Sequence, residues 1–482
     1  MAIPTLQSKL AFEQYMQVST GVRAAFLETI AENIEALGDD LLSIASQETH
    51  LPIVRLQGER ARTCFQLRSF AEMLRKGDYV EASIDTAIPT KTPPKPDLRC
   101  MLQPIGPVVV FGASNFPFAY STAGGDTASA LAAGCSVIVK AHPGHLETSK
   151  MVATAIEKAI EAHQLPTHVF QHIIDTDFET GKALVQDEHI SAVGFTGSRQ
   201  GGRALFDYAQ TRKHPIPVFA EMGSVNPVVL FEGALQENGE SLAQQYAASI
   251  TLGMGQFCTN PGILIAIKSS ALDTFAKSLS TAMMQVSPTS MLHSGIQSSY
   301  FQHSHQALTQ KGVRLLTGNE PLADNAYPVL ATVDATHFIA NPLLAEEVFG
   351  PYSLLITCDN MELVKQVWNS LKGQISTSFM ANDKDLETNA TFIQQAFLGA
   401  GRVVLNGVPT GVEVCDSMVH GGPYPASTDS RFTAVGVRAV RRWLRPVSYQ
   451  NWPNHLLPTA IQNKNALGIW RTINGQLTKE PV

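Results

Sequence analysis

The chain has 482 residues, 44% of them hydrophobic and 16% charged. That is the balance of a globular protein with sizeable cores, and its length calls for roughly two or three domains. The net charge of −7, from 35 basic and 42 acidic residues, supplies no broad field for nucleic acid or an anionic membrane.

No stretch approaches the roughly 18 uninterrupted apolar residues of a membrane span. The start, Met-Ala-Ile-Pro-Thr-Leu-Gln, has no cationic segment before an apolar one, so no secretory signal is read. The cysteines are Cys64, Cys100, Cys135, Cys258, Cys358 and Cys415. None forms a Cys-x-x-Cys pair, which argues against a zinc ribbon or dithiol motif and for a reducing cytoplasm.

Residues 7–76 read as helical, with Phe12, Met16, Val22, Phe26, Ile30, Ile34 and Leu37 largely at three- and four-residue spacing. The segment 87–97 holds four prolines and predicts an extended connection. Strands alternating with helices follow. Strands are expected at 107–112, 136–140, 169–174, 191–195 and 215–219, and helices at 123–133, 151–163, 182–185 and 200–210. Such alternation is the pattern of a parallel sheet covered by helices on both faces.

A second α/β segment begins near Asn226. Helices are expected at about 238–252 and 271–285, with strands near 327–333, 353–357 and 402–405. The segment from Arg438 reads as a helix followed by an irregular tail. Within this half, Gly253-Met-Gly-Gln-Phe-Cys-Thr-Asn-Pro-Gly262 sets Cys258 in a shaped turn, where a thiol can meet a substrate.

Four features fall at predicted strand ends, where open α/β sheets bind ligands. They are Asn115, Lys140, Gly197-Ser198 and Glu221. Cys258 suits a nucleophile, its thiolate being the reactive form. Glu221, before Met222-Gly223, suits a general base if burial raises its pKa. The Asn115 amide suits an oxyanion, and Lys140 suits ribose hydroxyls or a phosphate. Plainer readings stand beside these: a turn-forming or capping asparagine, a solvated lysine, a surface glutamate and an N-cap serine. No phosphate-binding Gly-x-x-x-x-Gly-Lys-Ser/Thr loop and no Gly-x-Ser-x-Gly elbow occurs. His142/His145 and His303/His305 lack the spacing and third ligand of a zinc site and read as surface residues.

These residues resemble the aldehyde dehydrogenase superfamily over essentially the full length. The motifs are Ser114-Asn115-Phe116-Pro117, Val139-Lys140, Phe195-Thr196-Gly197-Ser198, Glu221-Met222-Gly223, Gly255-Gln256-Phe257-Cys258 and Glu346-Glu347-Val348-Phe349-Gly350-Pro351. The resemblance implies an α/β fold with a Rossmann-type cofactor domain, an α/β catalytic domain and a small oligomerisation element. The cofactor domain would take 1–85 and 101–223, with 426–442 returning to it. The catalytic domain would take 224–425, and the oligomerisation element 86–100 and 443–482, across a homodimer or homotetramer.

It also implies roles. Cys258 forms a thiohemiacetal and then a thioester, Asn115 and the Cys258 backbone N–H hold the oxyanion, and Glu221 activates water. Lys140, His142, Pro143, Ala113, Gly181, Thr196, Gly197, Ser198, Glu347 and Phe349 would face the cofactor. Phe118, Phe257 and Thr259 would face the substrate, and no metal is implied.

The family's usual Glu-Leu-Gly-Gly-Lys is here Glu221-Met222-Gly223-Ser224-Val225. Where many NAD-specific members carry a glutamate for the 2′-hydroxyl, this chain has Pro143. The missing carboxylate removes a repulsion toward a 2′-phosphate, so the reading leans to NADP, with NAD also open. Phe111–Pro117, Ala123–Thr127 and His420-Gly-Gly-Pro-Tyr-Pro425 look like the 2-oxoglutarate semialdehyde (2,5-dioxopentanoate) dehydrogenases. A broad-specificity or long-chain fatty aldehyde dehydrogenase is the alternative within the class. A catalytically silent binding protein of the same fold is the alternative outside it.

Overall fold

A computed structural model describes residues 4–317 and 326–482. The stretches 1–3, in the expected cofactor domain, and 318–325, in the expected catalytic domain, lie outside the described residues. Four helices lead the chain: Thr5–Tyr15, Thr20–Ala36, Gly38–Thr49 and Ile53–Lys76. Phe26, Ile30 and Ile34 share one buried stripe of the second helix, which is why their spacing is legible as helix. Ser19 caps that helix by accepting from the Val22 N–H.

The first sheet is wholly parallel. Its strands lie in the order Phe170–Ile173, Val137–Lys140, Val108–Phe111, Ala192–Thr196, Val218–Glu221. The chain starts at the central strand, winds outward to one side, and returns to build the other. The crevice between Val108–Phe111 and Ala192–Thr196 is therefore the switch point where such sheets bind ligands. Asn115 follows the first of these strands, and Gly197-Ser198 the second.

Among the described residues the second sheet has seven strands, in the order Arg314–Leu315, Val329–Asp334, Tyr352–Cys358, Ile263–Ile267, Val228–Leu230, Gln374–Met380, Ala400–Leu405. All pair in parallel except Arg314–Leu315. Ile263–Ile267 and Gln374–Met380 are strands that the sequence reading lacks. Gln374–Met380 is buried throughout although it carries Ser376, Thr377 and Ser378. Their polarity hides the strand, and two of its three hydroxyls are satisfied in place: Ser376 Oγ donates to Asn226 Oδ1 and Thr377 Oγ1 to the Pro227 carbonyl, while Ser378 Oγ is buried without a partner.

A third sheet joins distant parts of the chain in the order Leu444–Gln450, Leu98–Pro104, Ser83–Asp85, Arg471–Ile473, Gln476–Thr478. The end of the chain is thus not irregular. What reads as a helix from Arg438 is a 3₁₀ segment, Val437–Trp443, followed directly by a strand. Trp443 is fully buried and donates from Nε1 to Ser129 Oγ, fixing the point where the chain leaves the core. Among the described residues, no helix is long and apolar enough to cross a membrane.

Candidate active site

Cys258 sits on a turn that only a few residue types permit. Gly253, Met254 and Gly255 are successively left-handed, with φ of 54°, 55° and 64°. A Cβ on Gly255 would stand 2.1 Å from the Gly350 carbonyl oxygen. Two asparagines tie the turn down. Asn226 Nδ2 donates to the Cys258 carbonyl (2.8 Å) and the Asn260 carbonyl (2.9 Å), and Asn260 Nδ2 donates to the Gly350 carbonyl (3.1 Å).

Asn115 reaches the same turn from the first sheet. Its Nδ2 donates to the Gln256 carbonyl at 3.1 Å, and an amide NH₂ carries a second N–H. Glu221 ends its strand buried, 5% exposed, rather than on the surface. The strand end is pinned by an isolated bridge to Ser427 and by the Met222 N–H donating to Ala426.

That returning segment brings in His420, which the sequence shows only as the first residue of His420-Gly-Gly-Pro-Tyr-Pro425. His420 is 2% exposed. Its Nε2 stands 3.5 Å from Cys258 Sγ and 2.8 Å from Glu221 Oε1. Its backbone is held on both sides: its N–H donates to Thr433 Oγ1, and its carbonyl accepts from Ala434. Gly422 follows in a tight passage, where a Cβ would lie 2.2 Å from the Gln374 carbonyl oxygen. The motif's glycine marks a constrained turn, but nothing local names the partner 162 residues away.

The three groups set one another's charge. Burial pushes the Glu221 carboxyl up, but His420, through its charge and contact, and the Cys258 thiol outweigh it and leave the carboxyl below its usual range. A pKa raised by burial, the condition attached to the base reading of Glu221, is therefore reversed by a neighbour absent from that reading. Burial first, then the Glu221 carboxylate, push the Cys258 thiol well above its ordinary value. The resting proton thus sits on sulfur, with an imidazole nitrogen and a carboxylate beside it.

A cavity of about 210 Å³ joins Cys258 and Glu221 to the switch-point crevice. Cys258, Glu221, Asn115, Ala113, Thr196, Gly197, Ser198, Glu347 and Phe349 line it. Its dimensions and lining suit the nicotinamide end of a dinucleotide. Ser198 caps the helix Arg199–Gln210 by accepting from Gly201, and that N-terminus, opening on the cavity, is the ordinary place for a pyrophosphate. Burial pushes the Glu347 carboxyl up to about 7, against a lowering hydrogen bond from the Ser224 backbone.

Lys140 and Gly181 lie outside that lining but adjoin each other: a Cβ on Gly181 would meet the Lys140 side chain at 3.8 Å. Lys140 Nζ donates to the Asp175 carbonyl at 2.6 Å. Pro143 is exposed and His142 half-buried beyond the same strand end. His145, expected at the surface, is fully buried, with Nε2 2.9 Å from the Ala113 carbonyl. Phe118 packs in the core at 1% exposure rather than on the cavity. Phe257 packs edge-on to Phe116, and Thr259 is buried.

The departure at Ser224-Val225 is structural. Ser224 Oγ lies 2.8 Å from Gln374 Oε1 and accepts from the Ile375 N–H, stitching the strand end to the second sheet.

Residues 5–432 match the model of the aldehyde dehydrogenase family. The chain is 48% identical over 473 residues to an alpha-ketoglutaric semialdehyde dehydrogenase of Acinetobacter baylyi, covering 97% of this chain and 90% of that one. It is 47% identical over 469 residues to alpha-ketoglutaric semialdehyde dehydrogenase 2 of Azospirillum brasilense, with coverage of 97% and 89%. In fold it is similar to glyceraldehyde-3-phosphate dehydrogenase GapN of Methanocaldococcus jannaschii, solved with NADP, at a TM-score of 0.77, 19% identity and 92% coverage of both chains. Betaine aldehyde dehydrogenase of Staphylococcus aureus is similar at a TM-score of 0.77 and 18% identity, covering 94% of this chain and 88% of the other. The chain belongs to the aldehyde dehydrogenase family, whose members oxidise aldehydes with NAD(P).

Proposed function

We propose that the chain oxidises 2-oxoglutarate semialdehyde to 2-oxoglutarate. The observation that carries this is the 47–48% identity to two alpha-ketoglutaric semialdehyde dehydrogenases over nearly the whole of each chain. The site supports it with two guanidiniums packed against aromatic rings of its lining. Arg55 lies 4.9 Å from the Phe116 ring centroid and 5.0 Å from that of Phe257, the residue before Cys258. Arg62 stands over Tyr120, which lines the cavity. Arg55 Nη1 and Arg62 Nε are buried without a hydrogen-bond partner, and a distal carboxylate satisfies such donors.

Cys258 Sγ attacks the aldehyde carbon, and its proton passes to the His420–Glu221 pair, whose Nε2 stands 3.5 Å from the sulfur and 2.8 Å from the carboxylate, and from there to solvent before the water step. The free N–H of the Asn115 amide meets the oxyanion. When bound, the nicotinamide supplies the hydride acceptor that turns the thiohemiacetal on Cys258 into a thioester. Glu221, kept ionised beside His420, takes a proton from the water that attacks the thioester, releasing the acid and restoring the thiol.

We assign the cofactor preference to NADP, because Pro143 leaves no carboxylate opposite a 2′-phosphate. A homodimer or homotetramer is supported by two open sheet edges. Leu444–Gln450 and Ala400–Leu405 are both edge strands, and Val403 and Leu405 on the latter are exposed.

An initial-rate panel of aldehydes with and without a distal carboxylate, each against NAD and NADP, tests the reading. The semialdehyde should show the highest kcat/KM; a preference for long alkyl aldehydes would overturn it. Pro143→Glu should penalise NADP more than NAD, and an unchanged ratio would place the 2′-site elsewhere.

A further inference from the structure

Glu221, Cys258 and His420 offer three different donor atoms, a carboxylate oxygen, a sulfur and an imidazole nitrogen, all within 4.8 Å of one another. We propose that they form a reversible inhibitory site for a borderline-soft divalent cation of the zinc type.

The geometry matches a three-ligand site. Zinc–sulfur and zinc–nitrogen bonds of about 2.3 and 2.05 Å, at a tetrahedral angle, separate sulfur and nitrogen by about 3.6 Å. Cys258 Sγ and His420 Nε2 are 3.5 Å apart. The same construction separates nitrogen and oxygen by about 3.3 Å, against 2.8 Å between His420 Nε2 and Glu221 Oε1. A shift of about half an ångström in one carboxylate suffices, and Glu221 Oε2 is buried without a hydrogen-bond partner to offer instead. Cys258 and Glu221 both line the cavity, so an ion can enter and a water can complete a fourth position.

The donor set also selects the ion. Thiolate and imidazole favour zinc over magnesium or calcium, which want oxygen ligands. On binding, the Cys258 thiol loses one proton to solvent and a sulfur–metal bond forms. His420 binds as neutral imidazole and Glu221 as carboxylate, so one thiolate and one carboxylate balance the two positive charges. No electron is transferred. The sulfur lone pair that would attack an aldehyde is then engaged. Metal binding stands on the geometry alone, whereas the inhibition rests on Cys258 being the nucleophile.

The test uses the chelator-stripped full chain, titrated with Co²⁺ as a spectroscopic probe and then with Zn²⁺. One equivalent of cobalt should bind with a thiolate-to-cobalt charge-transfer band, and zinc should displace it. Zinc should also abolish aldehyde oxidation, slow alkylation of Cys258, and be reversed by EDTA. His420→Gln and Glu221→Gln should each weaken cobalt binding by roughly tenfold or more, and Cys258→Ala should remove the band. Retained NAD(P) binding confirms that each variant is folded, and if one variant fails that check the other carries the comparison. No charge-transfer band, or unchanged cobalt affinity in the folded variants, would overturn the site. Stoichiometric binding with turnover undiminished would overturn the inhibitory role and the nucleophile assignment, but leave the site.

Discussion

Two clusters of ionisable side chains among the described residues behave in opposite ways. One is Glu221, Cys258 and His420. The other is His142, His145 and His293, with ring centroids of 5.5 Å between His142 and His145 and 6.0 Å between His142 and His293. In the histidine cluster each ring spends a nitrogen on backbone. Gly144 donates to His142 Nδ1, Ile296 donates to His293 Nδ1, and His145 pairs with the Ala113 carbonyl. Burial and the neighbouring rings hold His142 down to about 3, so the group is neutral packing. In the other cluster the side-chain atoms face one another directly, and two of the three residues, Cys258 and Glu221, line the cavity. Histidine is structural in one place and chemical in the other, and the difference is what the backbone has already claimed.

Breaking the reactive cluster should have the larger effects. Cys258→Ala should lower aldehyde oxidation by roughly 10⁴-fold or more while cofactor binding, read by fluorescence titration, stays near native. Substantial residual turnover would remove the nucleophile from the scheme. His420→Gln should cost about 10²–10⁴-fold in kcat and move the pH–rate profile to higher pH, since the thiol loses its proton acceptor. A profile that keeps its shape would make His420 mere packing.

The histidine cluster should answer in stability instead. His145→Gln should lower the urea midpoint by breaking a buried hydrogen bond, about 1–3 kcal/mol, with kcat changed far less than in His420→Gln. The smallest effect concerns acid. His142 has a native pKa of about 3 against an ordinary 6.5, so the unfolded chain binds more protons between those values. Its share of stability is present above pH 6.5 and drains away as pH falls toward 3. His142→Gln should therefore flatten the loss of urea midpoint between pH 7.5 and 5; an unchanged slope would show that other groups carry it.

Much of the first sheet is legible in the chain because its strands are buried on both faces. Val108–Phe111 and Val137–Lys140 are continuous apolar runs, and each ends where the polarity changes. The second sheet is harder because Gln374–Met380 places hydroxyls inside, where Asn226 and a backbone carbonyl accept from Ser376 and Thr377. The candidate site divides the same way. Asn115, Glu221 and Cys258 stand beside turn residues that advertise them. His420 does not: a single histidine before two glycines has no local signature of a thiol neighbour, and only the return of 426–427 along the Glu221 strand puts it there. Phe118 shows the converse error. Its neighbours Phe116 and Tyr120 line the cavity, but helical turning in that segment sends Phe118 into the core.

The separation of 162 residues between Cys258 and His420 also orders events during synthesis. A nascent chain carries the thiol long before the imidazole leaves the ribosome, and through that interval the thiol has only Glu221 of its two eventual neighbours. The reactive centre is thus completed only once the segment carrying His420 has been made. A fragment ending before His420 would hold Cys258 with neither its proton acceptor nor the strap that seats Glu221, and premature termination would yield a chemically quiet product rather than a half-competent enzyme.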